Sequence, residues 1–287
     1  MQNDALLRDL ATCGSAETLL AAILKHLPDT GPPVNVEAVA HSTGIIAFRD
    51  LEADGFASAV MADVGKRQGI ILTAASLSAQ RRRFAIAHQL GHFLARAQGG
   101  DRQCTRRDLS ENRRDTPRRK EEMQANRFAA GLLMPKPWFV TFVEGLGKPT
   151  VAHVPMIAAA YDVSVEAAAS RYVDLTPAMC ALLFVKNGII RYARPSRSFP
   201  ALAISPGAPA PPTAESTGAG GKLSWIATDA RDWLIQSRTT RLPTLTTQTL
   251  ALKGGLQLVM LYINAAAERR ADEEAEKLAT ERPKFGR

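Results

Sequence analysis

From about Ser78 to Gln98 the chain reads as one long helix, closed by Gly99-Gly100, and the run Arg81 to Arg96 (RRRFAIAHQLGHFLAR) sets two histidines four residues apart within it. An α-helix completes a turn every 3.6 residues, so His88 and His92 stand one above the other on one face. Both imidazoles can then meet one metal ion. This pairing constrains the fold more than any other feature. Two ligands do not complete a site, so the chain must bring at least one more against this helix.

The other histidines are His26, His41 and His153, and Gln98 occupies the place, six residues after His92, where an extended motif would put a third. A carboxylate on the next helix, within EEMQANRFAAGLLMP, is the better candidate. Geometry leaves Glu121 and Glu122 open, because the apolar stripe Ala125, Phe128, Ala129, Leu132 and Leu133 centres midway between them. Gln89 is the other departure. In the H-E-x-x-H helix of metallopeptidases the residue after the first histidine is a glutamate that takes a proton from the attacking water. A carboxamide cannot do so at neutral pH. General acid–base assistance is worth ~10²–10⁴-fold, about 3–5 kcal/mol of barrier, so hydrolysis should be slow or undetectable.

The remaining pattern gives an α+β fold. Helical spacing covers the first 30 or so residues and Val36 to His41. Ile45 to Arg49, Ala57 to Ala62 and Gly69 to Thr73 read as short strands of a small, mostly antiparallel sheet, and an edge strand within residues 57–73 would suit pairing with an extended peptide. Asp101 to Lys120 is polar and basic and reads as a mobile surface loop. Thr116-Pro117 starts a helix that ends before Pro135. Thr150 to Tyr161 and Val165 to Asp174 are helical. The character then changes. Ala181 to Arg194 is a hairpin turning at Asn187-Gly188, Ser205 to Gly221 a flexible loop, Ala227 to Ile235 a short helix, and Leu245 to Ile263 a second hairpin. We therefore expect a helical metal-site domain over 1–175 and a smaller mixed α/β domain over 176–287, sensor-like or partner-binding, with a charged tail.

Three scattered cysteines (Cys13, Cys104 and Cys180) argue against a disulfide framework, and MQNDALLRDL lacks a secretory signal. No stretch reaches the ~18 apolar residues of a membrane span. The expectation is a cytoplasmic protein without membrane contact. A net charge of +8 permits nucleic acid or an acidic protein as partner. Val154 to Val173 looks like a helix-turn-helix, but its second helix offers only Glu166, Ser170 and Arg171, poor chemistry for reading bases. A helical pair packed near the metal site is the favoured reading.

The motifs R-x-R-F-x-x-A-H-x-x-G-H, at Arg81 to His92, and E-x-x-A-N-x-F-A-x-x-L-L-M-P, at Glu122 to Pro135, resemble the ImmA/IrrE family of metallo-endopeptidases, over roughly Asp4 to Leu175. The resemblance implies a gluzincin-like zinc site with His88, His92 and Glu122 as ligands and Glu121 as runner-up. Asn126 would orient a ligand, and Gln89 holds the position of the general base. His153, Tyr161 and Tyr172 are candidate oxyanion donors. It further implies a regulatory endopeptidase that cleaves a helix-turn-helix repressor, relieving repression under stress. With every other motif residue intact, an engineered inactive form is favoured over a natural pseudopeptidase that only binds its partner. A DNA-binding regulator is the third reading. The sequence does not set the oligomeric state.

Overall fold

The computed structural model describes residues 4–95, 102–105, 117–212, 223–236, 241–270 and 273. It is an α+β structure whose chain divides into two compact units. The first takes Met1–Gly145 and Pro155–Ala168, and the second takes Leu146–Val154 and Ala169–Arg287.

The first unit opens with α1 (Asp4–Ala11), α2 (Ala16–His26) and α3 (Val36–Ser42). Ser15 and Thr18 form a capping box at the start of α2, and Asn35 caps α3, which ends before Gly44 at φ 115°. Three strands follow as expected: β1 (Ile45–Leu51), β2 (Phe56–Ala62) and β3 (Gly69–Ala74). A fourth, β4 (Arg102–Thr105), completes a sheet of order β1-β3-β2-β4, in which only β1 and β3 run parallel. Here the structure corrects two expectations. The start of the presumed surface loop is a strand laid antiparallel on β2; most of the remainder, to 116, lies outside the described residues. And β2 and β3 are interior strands, so neither offers an edge to a peptide. A four-residue strand, RQCT, carries too little hydrophobic alternation to be recognised; pairing with β2 is what defines it.

The histidine helix α4 (Ala79–Leu94) is capped by Ser78 and lies against β2, β3, α3 and α5 (Pro117–Leu133). Lys66, itself at φ 47°, reaches the far end, where its Nζ donates to the carbonyls of His92 and Ala95 at 3.0 Å each. These are orphan carbonyls of a helix terminus, and a cation suits the negative end of the dipole. Gly91 permits the close approach of α5: a Cβ there would stand 3.1 Å from Phe128 and 3.3 Å from the Ala125 backbone. The helix α6 (Lys136–Gly145) follows Pro135 at once, an element the sequence reading did not assign. The pair α7 (His153–Tyr161) and α8 (Val165–Leu175) is divided between the units: α7 begins in the second and continues in the first, and α8 begins in the first and ends in the second. Arg83 on α4 bonds Asp162 and the Val34 carbonyl within the first unit. Among the described residues no helix is long and apolar enough to cross a membrane.

The second unit is built on an antiparallel sheet of five strands in the order β6-β5-β9-β8-β7. Its strands are β5 (Met179–Lys186), β6 (Ile189–Pro195), β7 (Ile226–Thr228), β8 (Leu245–Ala251) and β9 (Leu256–Ile263). Asn187 and Gly188 both have positive φ, as the tight turn between β5 and β6 requires. Leu183, Val185, Val259, Leu261 and the fully buried Trp233 form its core. The helix expected over Ala227 to Ile235 is instead the edge strand β7 and a single turn, Ala230–Asp232, capped by Asp229. Pairing with β8 satisfies the backbone groups there and overrides a weak helical pattern. Part of the presumed flexible loop is also held, since Gly207, Ala208 and Ala210 bond backbone groups of Gly188 and Ile190; residues 213–222 lie outside the described residues.

Candidate metal centre

Sheet register builds the site. Asp50 pairs with Thr73, Thr73 with Ser58, and Ser58 with Cys104, one residue from each strand in a single row. Direct cross-strand partners share a sheet face. Asp50 accepts from Thr73 at 2.6 Å and from Arg82 on α4, Ser58 accepts from the Gln89 amide at 2.8 Å, and Cys104 meets the two histidines. One row of the sheet thus reads along the α4 face that carries His88 and His92.

The helix α5 supplies the rest. Glu122 Oε2 is 3.1 Å from His88 Nε2 and 3.4 Å from His92 Nε2, and those two nitrogens are 3.0 Å apart. Cys104 Sγ lies 3.5 and 3.7 Å from the same nitrogens and 3.6 and 3.7 Å from the Glu122 oxygens. All four residues are buried, and their ligand atoms fall within 4.8 Å of one another. Bonds of about 2.0–2.3 Å around a tetrahedral zinc place donor atoms roughly 3.3–3.8 Å apart, close to the separations seen. His88 Nδ1 donates to Asn126 Oδ1 at 2.9 Å, which leaves the Nε2 lone pair facing the cluster. Gln89 Oε1 is buried with no hydrogen-bond partner among the described residues, as befits a group awaiting a polar ligand.

The electrostatics favour the deprotonated forms of His88 and Glu122. Burial pushes His88 down, with Glu122 opposing in part. Burial alone would raise the Glu122 carboxyl, but the two imidazoles beside it outweigh that and hold it well below the ordinary range. Imidazole nitrogen, thiol and carboxylate together are a borderline-soft donor set that suits zinc.

Of the residues named from sequence, the structure brings His88, His92, Gln89, Glu122 and Asn126 together. Glu122 is the carboxylate that joins the cluster; Glu121 is half-exposed beside it. Tyr161, in the first unit, packs its ring against Phe139 and Phe142. His153 and Tyr172 belong to the second, where their rings meet at 6.0 Å and burial pushes the phenol up and the imidazole down. Cys104 was missed. Its only sequence signal was a lone thiol twelve positions after His92, in a segment without periodicity.

The family model for the IrrE N-terminal-like domain of peptidase family M78 matches residues 50–172, a span that holds all four donor residues. Residues 50–172 belong to that family. The ImmA/IrrE resemblance is borne out, and with it a peptidase-type domain with a buried cluster able to hold a metal. A comparison with curated proteins gives no match.

Proposed function

We propose that this chain is a zinc-dependent endopeptidase of regulatory type whose substrate is a helix-turn-helix transcriptional repressor, with Gln89 suppressing its hydrolytic step. The observation that carries the reading is the buried convergence of His88, His92 and Glu122 beside position 89, inside a span of the IrrE type. Zinc bound there supplies Lewis-acid polarisation of a peptide carbonyl and of water. His88 and His92 hold it through Nε2, Asn126 fixes the His88 ring, and Glu122 balances the charge. Gln89 can orient a water by hydrogen bonding but cannot remove its proton. The repressor as substrate class follows from the family resemblance alone.

Cys104 adds a condition. Catalytic zinc sites keep one position open, whereas four protein donors make a closed, structural type of site. The arrangement of β4 therefore corresponds to a resting form, and cleavage requires Cys104 to leave the cluster.

The test is to incubate Gln89→Glu protein, loaded with zinc, with the repressor encoded beside its gene. Defined fragments that vanish with chelator are expected. A repressor that is bound but stays intact would replace this reading with that of a pseudopeptidase, and tight, salt-sensitive DNA binding without proteolysis would favour the DNA-binding regulator.

A further inference from the structure

The side chain at position 89 has an anchor that the metal-ligand motifs do not include. Ser58 lies in the middle of β2, flanked by β3 and β4, with no exposed surface. A hydroxyl sealed in a strand interior costs stability unless it is hydrogen-bonded, and this one accepts from Gln89 Nε2 at 2.8 Å. The other Gln89 polar atom, Oε1, has no partner among the described residues, so this bond is what orients the amide.

We propose that Ser58 is a positioning residue for the side chain at position 89, holding it toward the metal cluster whether that side chain offers a donor or an acceptor. The proposal rests on the endopeptidase reading. Its chemical basis is that a hydroxyl both donates and accepts and rotates to suit. It accepts from the amide present now, would donate to a carboxylate at the same place, and would accept again from a carboxylic acid formed when that carboxylate takes a proton. An alanine in this slot could do none of these. A fixed acceptor would suit only the amide and the acid. Ser58 also stands opposite Cys104 in register, so one row of the sheet carries both the partner of the residue beside the first histidine and the thiol that closes the site. The competing explanation is that Ser58 is there only because a small residue fits under α4.

Replacing Ser58 by threonine or by valine separates the two, because these side chains match in shape and differ only in the hydroxyl. In the chain as it stands, the Gln89 side-chain amide protons, followed by NMR, should exchange slowly with solvent in Ser58→Thr and at least ~10-fold faster in Ser58→Val. In the Gln89→Glu background, with the neighbouring repressor as substrate, the valine variant should lose kcat on the order of 10–100-fold relative to the threonine variant, with KM and zinc content unchanged. Equal behaviour of the two variants in amide exchange would overturn the role of Ser58. If no Gln89→Glu protein cleaves at all, the endopeptidase reading fails, while amide exchange still decides the positioning.

Discussion

Asn126 illustrates how a single side chain off the metal can govern it. Its Oδ1 accepts from His88 Nδ1, which selects the tautomer with Nε2 free for coordination. Asn126→Ala should therefore weaken zinc binding roughly 10–100-fold in a chelator competition, while Asn126→Asp should retain it. Protons compete for the same site. Burial lowers His88 from the ordinary 6.5, and the Glu122 carboxyl is likewise held down, so the folded protein binds fewer protons than the unfolded chain. By linkage, the metal-free fold should lose stability as pH drops below about 6.5 and continue to lose it through the carboxylate range. Zinc affinity should fall as pH drops through the same window, because protons compete for the ligand atoms, as titration at a series of pH values would show. At this scale the sequence was informative: His88, His92, Glu122 and Asn126 were marked by fixed spacing on two helices. Ser58 and Cys104 were not, because strand register and a long loop closure bring them in, and no local pattern encodes either.

The element that most changes the reading of the site is β4. It presents Cys104 to the metal cluster while its backbone pairs with Phe56 to Val60 of β2. Removing the thiol should open the fourth position without removing the strand. In the Gln89→Glu background, Cys104→Ala should raise kcat/KM by at least ~10-fold and weaken zinc retention by a similar factor, read by proteolysis and by metal analysis after dialysis. Unchanged rates would mean that the thiol does not limit access. Elements with strong periodicity or clear turn signals (α4, α5 and the two hairpins) were legible in the sequence, whereas the break between α1 and α2 at Ser15 was not. The misread ones share a cause. Residues 102–105 and 226–228 are strands only because a neighbour satisfies their backbone groups, and Ala230–Asp232 is too short for a helical period to register.

On the scale of the molecule, the chain passes between its two units more than once, so a cut at a single point does not separate them. Leu146–Val154 belongs with the C-terminal sheet, where Gln248 Oε1 accepts from Thr150 Oγ1 at 2.8 Å and from the Val151 amide at 3.1 Å. Tyr172 and Val173 are buried in the same unit. A fragment ending at Leu175 loses the Gln248 acceptor of the Val151 amide and uncovers Tyr172 and Val173, so it should be less stable to urea and should bind a hydrophobic dye that the whole chain excludes. A fragment as stable to urea as the full chain would refute that. The change in character after Pro177 was visible in the sequence, but the return of residues 146–154 was not, since nothing in their composition differs from the helices around them. The three thiols also grade the molecule by depth: Cys13 is half-exposed, whereas Cys104 and Cys180 are sealed. Under an alkylating reagent, Cys13 reacts at once and Cys180 waits for global unfolding. The labelling rate of Cys104 would then act as a stopwatch for the lifting of its strand, timing the unlatched state with no substrate in the tube.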